Sequence, residues 1–461
     1  MFRYIFIILF IGNIFPAFSQ EKAGLFSYDD FIEIVKRNHP LVKQANLLPL
    51  DAQTEIMQAK GQFDPKLGSS FDRKAFQGTD YYNRWDSNLK IPTYFGADFK
   101  VGYEQNSGLK LKPEESPKLI YAGMSVPIGQ GLLIDARRAT LRQAQIARQI
   151  SEAEKIKSIN KTILSASKDY WEWYLAYQQY SFIKEGLDLA ETRFNATKER
   201  ARIGEQAAID SVEAKITLQD RQVAFEQAGV DWKNAGLMLS NYLWNEKDEP
   251  LELPENAIPP AVSTFLVDEM TLQSLLVKAK THPELVKLEG KIGQLTIEER
   301  FRKELLKPQL DVSFNFLSKS FDIGNDDNSS AFMFANQKVG VNFLVPIFLR
   351  KERGKLQQIR IKQMQTGFEK GFAVRTIMND VYASYNDVKN YEKQLKIQQE
   401  SVKNQEIMLV AEKRKFEIGE TSLFLLNARE SKLIDMRVKV ESLKSKYQKA
   451  LIQLNYASGS M

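Results

Sequence analysis

Val126-Pro127-Ile128-Gly129-Gln130-Gly131-Leu132-Leu133, followed closely by Arg137-Arg138-Ala139, is the stretch on which the fold turns. Behind it, Ile120, Ala122, Met124 and Val126 alternate with Tyr121, Gly123 and Ser125, the period of two that a strand requires. Ahead of it no proline occurs before Pro250, a stretch of 122 residues. The same junction returns as Val345-Pro346-Ile347, at an offset of 219, and the 115 residues after Pro346 are again free of proline. Strand therefore gives way to very long helix twice, because proline breaks helix interiors and a sheet-rich region would be punctuated far more often.

The recurrence extends along the whole chain. Asn38-His39-Pro40 returns as Thr281-His282-Pro283 and Pro65-Lys66-Leu67 as Pro308-Gln309-Leu310, both at an offset of 243, with Phe71 matching Phe314. Arg138, Tyr170 and Gly204 return as Arg353, Tyr385 and Gly419 at 215, and Asn241-Tyr242 as Asn455-Tyr456 at 214. Matches in one order mark two copies of one unit, which overrules the domain count that 461 residues would suggest. The copies are read as 20–245 and 268–457, behind a segment 1–19 and joined by a Pro-rich linker at 246–267.

Within each copy the pattern predicts strands at about 66–128 and 308–346, and long helical hairpins at 138–245 and 353–457. Leu433, Met436, Val440, Leu443, Tyr447, Ala450 and Leu454 form a heptad seam, and Ile146, Ile150, Ala153, Ile156, Ile159 and Ile163 mark a similar stripe. Between Arg138 and Gly204 a continuous helix would be roughly 100 Å long, at about 1.5 Å per residue. Ile203-Gly204-Glu205 and Ile418-Gly419-Glu420 share the sequence Ile-Gly-Glu, and glycine there can take the left-handed conformation that closes a helix, so the tips are placed at Gly204 and Gly419. Leu310, Val312, Phe314 and Phe316, then Val339, Val341, Phe343 and Val345, alternate with polar residues about a loop at Gly324 to Asn328. One apolar and one polar face at about 10 residues per strand is what a membrane barrel requires. The first copy holds two more alternating segments, Trp85 to Ile91 and Ala97 to Tyr103, which the pattern assigns neither to the barrel wall nor to its rim.

Composition narrows the function classes. The chain has 64 Lys and Arg against 58 Asp and Glu, two His and no Cys. That excludes disulfide frameworks, thiolate metal sites and lipidation through cysteine, and makes histidine-based catalysis an unpromising reading. The net charge of +6 is spread through a heavily charged chain and reads as solvated faces, so no nucleic-acid partner is expected. Met1 to Ser19, with Arg3, an apolar run from Tyr4 to Phe15 and Ala17-Phe18-Ser19 before Gln20, is expected to be a secretory signal peptide. Beyond it no apolar stretch reaches the roughly 20 residues of a membrane-spanning helix, so a membrane location implies a β-barrel.

Two copies of helix, strand hairpin and long helical hairpin behind a signal peptide resemble the TolC outer-membrane factor family over essentially all of the mature chain. Pro127 to Leu133 before Arg137-Arg138-Ala139, and the Arg-x-Gly tip Arg202-Ile203-Gly204, carry the local likeness, while the second tip reads Glu417-Ile418-Gly419. The resemblance implies a mainly α protein with a transmembrane β-barrel portion, four strands per protomer, and antiparallel hairpins forming a trimeric α-barrel tunnel. It implies a homotrimer in the outer membrane, in contact with outer-membrane lipid, that works with a periplasmic adaptor and an inner-membrane transporter as the exit duct of an efflux pump or a type I secretion system. No cofactor, metal or catalytic residue is expected. The tips at Gly204, Glu205, Gly419 and Glu420 match the region that docks the adaptor. The family often carries an acidic residue six positions after the tip glycine; Asp210 stands there in the first copy and Leu425 in the second. Thr421 stands where some members have an arginine that ties the entrance shut, so Asp210, Thr421 and Leu425 are candidate lining. Pro65, Pro127, Pro308 and Pro346 mark the helix to strand junctions.

Other features have plainer readings. His39 and His282 occupy matching turns before proline and are read as local structure, not as a metal pair. Tyr170, Trp171, Trp173, Tyr174, Tyr177 and Tyr180 are read as helix packing. Arg137 and Arg138 could lie at a barrel rim or simply start a helix, and Tyr81, Tyr82, Trp85, Tyr94 and Tyr103 could form an interfacial girdle. A trimeric coiled-coil stalk or adhesin also needs long heptads, but its chains usually run on, whereas the two glycine tips fold these helices back. No G-x-S-x-G, P-loop or H-E-x-x-H occurs, so an enzyme is not expected.

Overall fold

The structure is a computed structural model, and it describes residues 24–108, 118–262, 269–318 and 336–461. The segment 1–19, the loop at Gly324 to Asn328 and residues 263–267 of the linker lie outside the described residues. In chain order the elements are α1 (Tyr28–Asn38), α2 (Pro40–Gly61), β1 (Lys66–Phe76), β2 (Thr79–Pro92), β3 (Asp98–Ser107), β4 (Lys118–Pro127), α3 (Ala136–Arg202), α4 (Ala208–Ser240), α5 (Glu269–Ala279), α6 (Pro283–Glu304), β5 (Gln309–Ser318), β6 (Gln337–Leu344), α7 (Arg350–Glu417) and α8 (Leu423–Ala457).

These elements form two compact units, one drawing on 1–40, 163–267 and 387–452, the other on 41–162, 268–386 and 453–461. Each unit thus takes residues from both sequence copies. In the first unit, Leu409, Leu426 and Leu433 form one cluster and Leu395, Val440 and Leu443 another, joining α8 to α7 along the heptad seam. The aromatic run of α3 packs here too: Tyr170, Trp171, Trp173 and Tyr174 are buried. Phe31 of α1 stacks on Tyr170 at 5.5 Å, and Tyr180 stacks on Trp232 of α4 at 4.9 Å.

The second unit carries a six-stranded antiparallel sheet in the order β1-β2-β3-β4-β5-β6. Four strands per protomer was the expectation, and the sheet has six. The first copy has 62 residues from Pro65 to Pro127 where the second has 38 from Pro308 to Pro346, and the excess is one further hairpin. Trp85 to Ile91 falls in β2 and Ala97 to Tyr103 largely in β3, both inside the sheet. Gln77 and Gly78, at φ 50° and 74°, make the two-residue turn between β1 and β2, as a primed hairpin turn demands. No described helix is long and apolar enough to cross a membrane.

The two histidines serve helix ends. His282 caps α6, its Nδ1 accepting from the Glu284 N–H at 3.1 Å, and His39 follows α1 with its ring stacked on Tyr242 at 5.5 Å. Burial holds both imidazoles below the ordinary value of 6.5; for His282 the nearby Glu284 and Asp380 oppose this and Lys157 adds to it. The folded state therefore favours the neutral rings. Their contribution to stability is complete above 6.5 and is lost as pH falls from there through the lowered values. The melting midpoint of the detergent-solubilised protein is expected to drop between pH 7.5 and 5. His282→Asn, which keeps a cap acceptor but does not titrate, should drop less; equal drops would show that this ring plays no part.

Candidate functional site: hairpin tips and strand to helix junctions

Both hairpins of the first unit turn in the same way. The Gly204 N–H donates to the Ala201 carbonyl at 3.2 Å and the Glu205 N–H to the Arg200 carbonyl at 2.9 Å. At the second tip the Gly419 N–H donates to Phe416 at 3.1 Å and the Glu420 N–H to Lys415 at 2.9 Å. This is the Schellman pattern, which satisfies the last carbonyls of α3 and α7 and needs a left-handed residue. Gly204 has φ +83° and Gly419 φ +81°, and a Cβ at either would meet nothing within 4 Å. The requirement is thus one of backbone conformation, and both tips lie open on the surface with Ile203 and Ile418 exposed beside them.

Asp210 lies half-buried in the first turn of α4, its N–H donating to the Ala207 carbonyl at 3.1 Å, where a carboxylate is favoured by the helix dipole. The Leu425 N–H donates to the Ser422 hydroxyl at 3.3 Å, and Leu425 is 37% exposed. Thr421 is half-buried in the turn just before Ser422. The second tip therefore starts α8 with a serine cap and apolar side chains where the first presents an acid.

Behind the tips, polar bridges that sequence reasoning missed join the hairpins. Arg193 of α3 donates to both carboxylate oxygens of Glu430 on α8, at 2.5 and 2.6 Å, and to Asn427 Oδ1 at 2.7 Å. Glu430 is only 7% exposed, so its charge is matched almost entirely by that guanidinium. The Asn427 amide donates to Thr217 Oγ1 of α4 at 3.3 Å, and Arg221 of α4 donates to Ser431 Oγ at 2.6 Å. Further along, Tyr174 donates to Glu441 Oε2 at 2.6 Å, and burial with that carboxylate pushes the phenol pKa well up. Each of these pairs an α3 or α4 residue with one of α8 more than 200 positions away.

The junction prolines separate helix from strand in the second unit. Pro65 directly precedes β1, Pro308 directly precedes β5, Pro127 ends β4, and Pro346 lies between β6 and α7. After Pro127 the Ile128 N–H donates to the Leu310 carbonyl at 2.7 Å and Gln130 to Pro308 at 2.8 Å, so the two copies meet there. Asp135 caps α3 by accepting from the Arg138 N–H at 2.9 Å. The buried Arg138 guanidinium then binds Asp135, the Leu132 carbonyl at 3.2 Å, the Phe95 carbonyl at 3.4 Å and the Gly131 carbonyl. Arg137 bridges Asp98 at 2.8 Å and Asp135 at 3.1 Å. Arg138's repeat mate Arg353 is exposed. One of Arg138's partners, the Phe95 carbonyl, belongs to the extra hairpin, which the second copy lacks.

The expected girdle is not one belt. Trp85 and Tyr103 meet edge to face at 6.1 Å, Tyr94 stacks on Phe63 at the turn near α3, and Tyr82 lies under Arg84.

A sheet with one alternating apolar face, joined to helical hairpins that share one capped tip design, defines a channel-forming membrane protein built from a duplicated unit. The model of the outer membrane efflux protein family matches residues 114–243 and 301–460, and the chain belongs to that family. Its place is accordingly the outer membrane, reaching into the periplasm, and its class is the efflux channel, a conduit and not an enzyme class. Among solved structures, the CmeC outer membrane channel of Campylobacter jejuni matches with TM-score 0.65 and 15% identity over 94% of this chain and 85% of that one. VceC of Vibrio cholerae matches with TM-score 0.63 and 12% identity over 94% and 95%, and the open state of the Neisseria gonorrhoeae MtrE channel with 0.65 and 14% over 93% and 88%. At such identities these likenesses concern the fold. No curated protein matches the sequence.

Proposed function

We propose that three copies assemble into an outer-membrane exit duct for a tripartite efflux pump or a type I secretion system, a passive conduit for small molecules or polypeptides. The observation that carries this reading is the open sheet. Its strands alternate apolar and polar residues, yet β1 and β6 are both edges among the described residues. Unpaired backbone is not tolerated in lipid, so further copies must supply the missing strands. Ile209, Val212, Ile216, Val223, Val230 and Leu237 support the same assembly: they form an exposed heptad stripe on α4 that a neighbouring copy can cover.

With no nucleotide-binding motif in the chain, the energy for transport comes from an inner-membrane transporter coupled through a periplasmic adaptor. Gly204, Glu205, Gly419 and Glu420 present the surface for that adaptor, and Asp210, Thr421 and Leu425 line the entrance. Electron microscopy of the detergent-extracted protein tests the assembly. A threefold tapered tube more than about 100 Å long is expected from the helix rise. A compact monomer would end the proposal, and a solid rod would replace it with the stalk reading.

A further inference from the structure

We propose that all six strands of every copy stand in the membrane wall, so that three copies close a barrel of eighteen strands, with β6 of one copy pairing antiparallel to β1 of the next. This departs from the four strands per protomer that the resemblance implies, and it rests on the three-copy reading only for the total.

Topology carries the argument furthest. β1 pairs with β2, β2 with β3 and β3 with β4, so β1 is joined to the rest of the sheet only through the extra hairpin. Taking β2 and β3 out of the wall would cut β1 off from it. Six is also an even number, so β6 runs opposite to β1, and identical copies can close with antiparallel neighbours throughout.

Side-chain phase agrees. Directly opposed residues in an antiparallel ladder lie on one face. From Phe71 the register leads through Trp85 to Gln105, and from Leu67 through Leu89 and Val101 to Ala122 and Phe316. Ile91, Phe99, Met124, Phe314 and Val339 form a parallel row on the same face. The apolar row therefore crosses the extra hairpin without a break, and Leu89 and Val101 are exposed there. On the opposite face Tyr121 of β4 lies across Gly102 of β3, and its hydroxyl donates to Asp86 Oδ2 of β2 at 2.8 Å. At 14 and 10 residues, β2 and β3 are long enough to span the hydrocarbon layer.

The turn between them is built as a short, fixed one. The Thr93 N–H donates to the Ala97 carbonyl at 3.0 Å, Tyr94 stacks on Phe63 at 4.3 Å, and Arg138 reaches the Phe95 carbonyl. Gly96 has φ +100°, and a Cβ there would lie 2.8 Å from the Arg138 guanidinium. The hairpin is thus fastened to the start of α3, the end of the barrel from which the helices leave. Because diameter grows roughly linearly with strand number, a wall of eighteen is about half as wide again as one of twelve.

Counting strands and copies by electron microscopy in lipid nanodiscs tests the inference separately from the trimer. Six strands per copy, at whatever copy number, is the expected result; four, with 79–107 folded away from the wall, overturns it. The copy number itself judges only the three-copy reading. A second measurement uses the absence of native cysteine. Single cysteines at Leu89 and Val101, labelled with a fluorophore, should be quenched by lipid-borne quenchers, whereas those at Asn88 and Lys100, one residue away, should respond to water-soluble quencher instead. Equal response of neighbouring positions to both quenchers would overturn the wall assignment.

Discussion

Replacing Arg193 with alanine is expected to destabilise the helical hairpins by about 3–5 kcal/mol, the range for removing one partner of a buried ion pair. Glu430 is 7% exposed and takes two bonds from that guanidinium, and Lys413 stands at 3.8 Å, too far to replace it with a hydrogen bond. The Asn427 carbonyl oxygen loses its donor at the same time. The loss is read as a lower thermal midpoint of the helical circular dichroism signal. Arg193→Met combined with Glu430→Met should recover most of it, since an apolar pair leaves no stranded charge. A single variant as stable as the wild type would show that water already reaches Glu430. In the proposed duct the same substitution frees α8 from α3 just behind the entrance, so an increase in channel conductance is expected with the loss of stability.

The second large effect is expected at the tips. Valine at both Gly204 and Gly419 should abolish export, scored as drug susceptibility or loss of secreted product, while the folded assembly survives native electrophoresis. A left-handed conformation costs a side-chain-bearing residue about 1–2 kcal/mol, which is too little to unfold helices of 67 and 68 residues. Since a Cβ at either glycine meets nothing within the chain, added bulk is felt by whatever docks there. Asparagine tolerates the left-handed region, so Gly204→Asn with Gly419→Asn separates the two causes. Loss of export in both double variants supports adaptor docking at the tips. Export retained with asparagine but lost with valine assigns the effect to backbone strain, and export retained in both removes the tips from the docking surface.

Local grammar explains how much could be read in advance. The tips were legible because Ile-Gly-Glu occurs at matching places in two copies and only glycine takes the left-handed turn without cost. The junction prolines, the heptad seam of α8 and the alternation of β4, β5 and β6 were legible for the same reason: each is a pattern within one element. The place of β2 and β3 inside the sheet was not, because alternation states that a segment is a strand but not which strands lie beside it. The differing fates of Arg138 and Arg353 were equally hidden, since the carbonyl of Phe95 and the carboxylate of Asp98, which accept bonds from Arg138 and its neighbour Arg137, come from a hairpin some 40 residues upstream.

Period, proline spacing and duplication, all properties of neighbouring residues, were enough to identify the long helices, their glycine tips and the barrel-type strands. Partners were not, because pairing among 64 basic and 58 acidic side chains is settled by which helix faces meet after folding. Arg193 and Glu430, separated by 237 positions, become a pair only when α3 and α8 pack together, and six strands become one sheet only when backbone hydrogen bonds choose their neighbours.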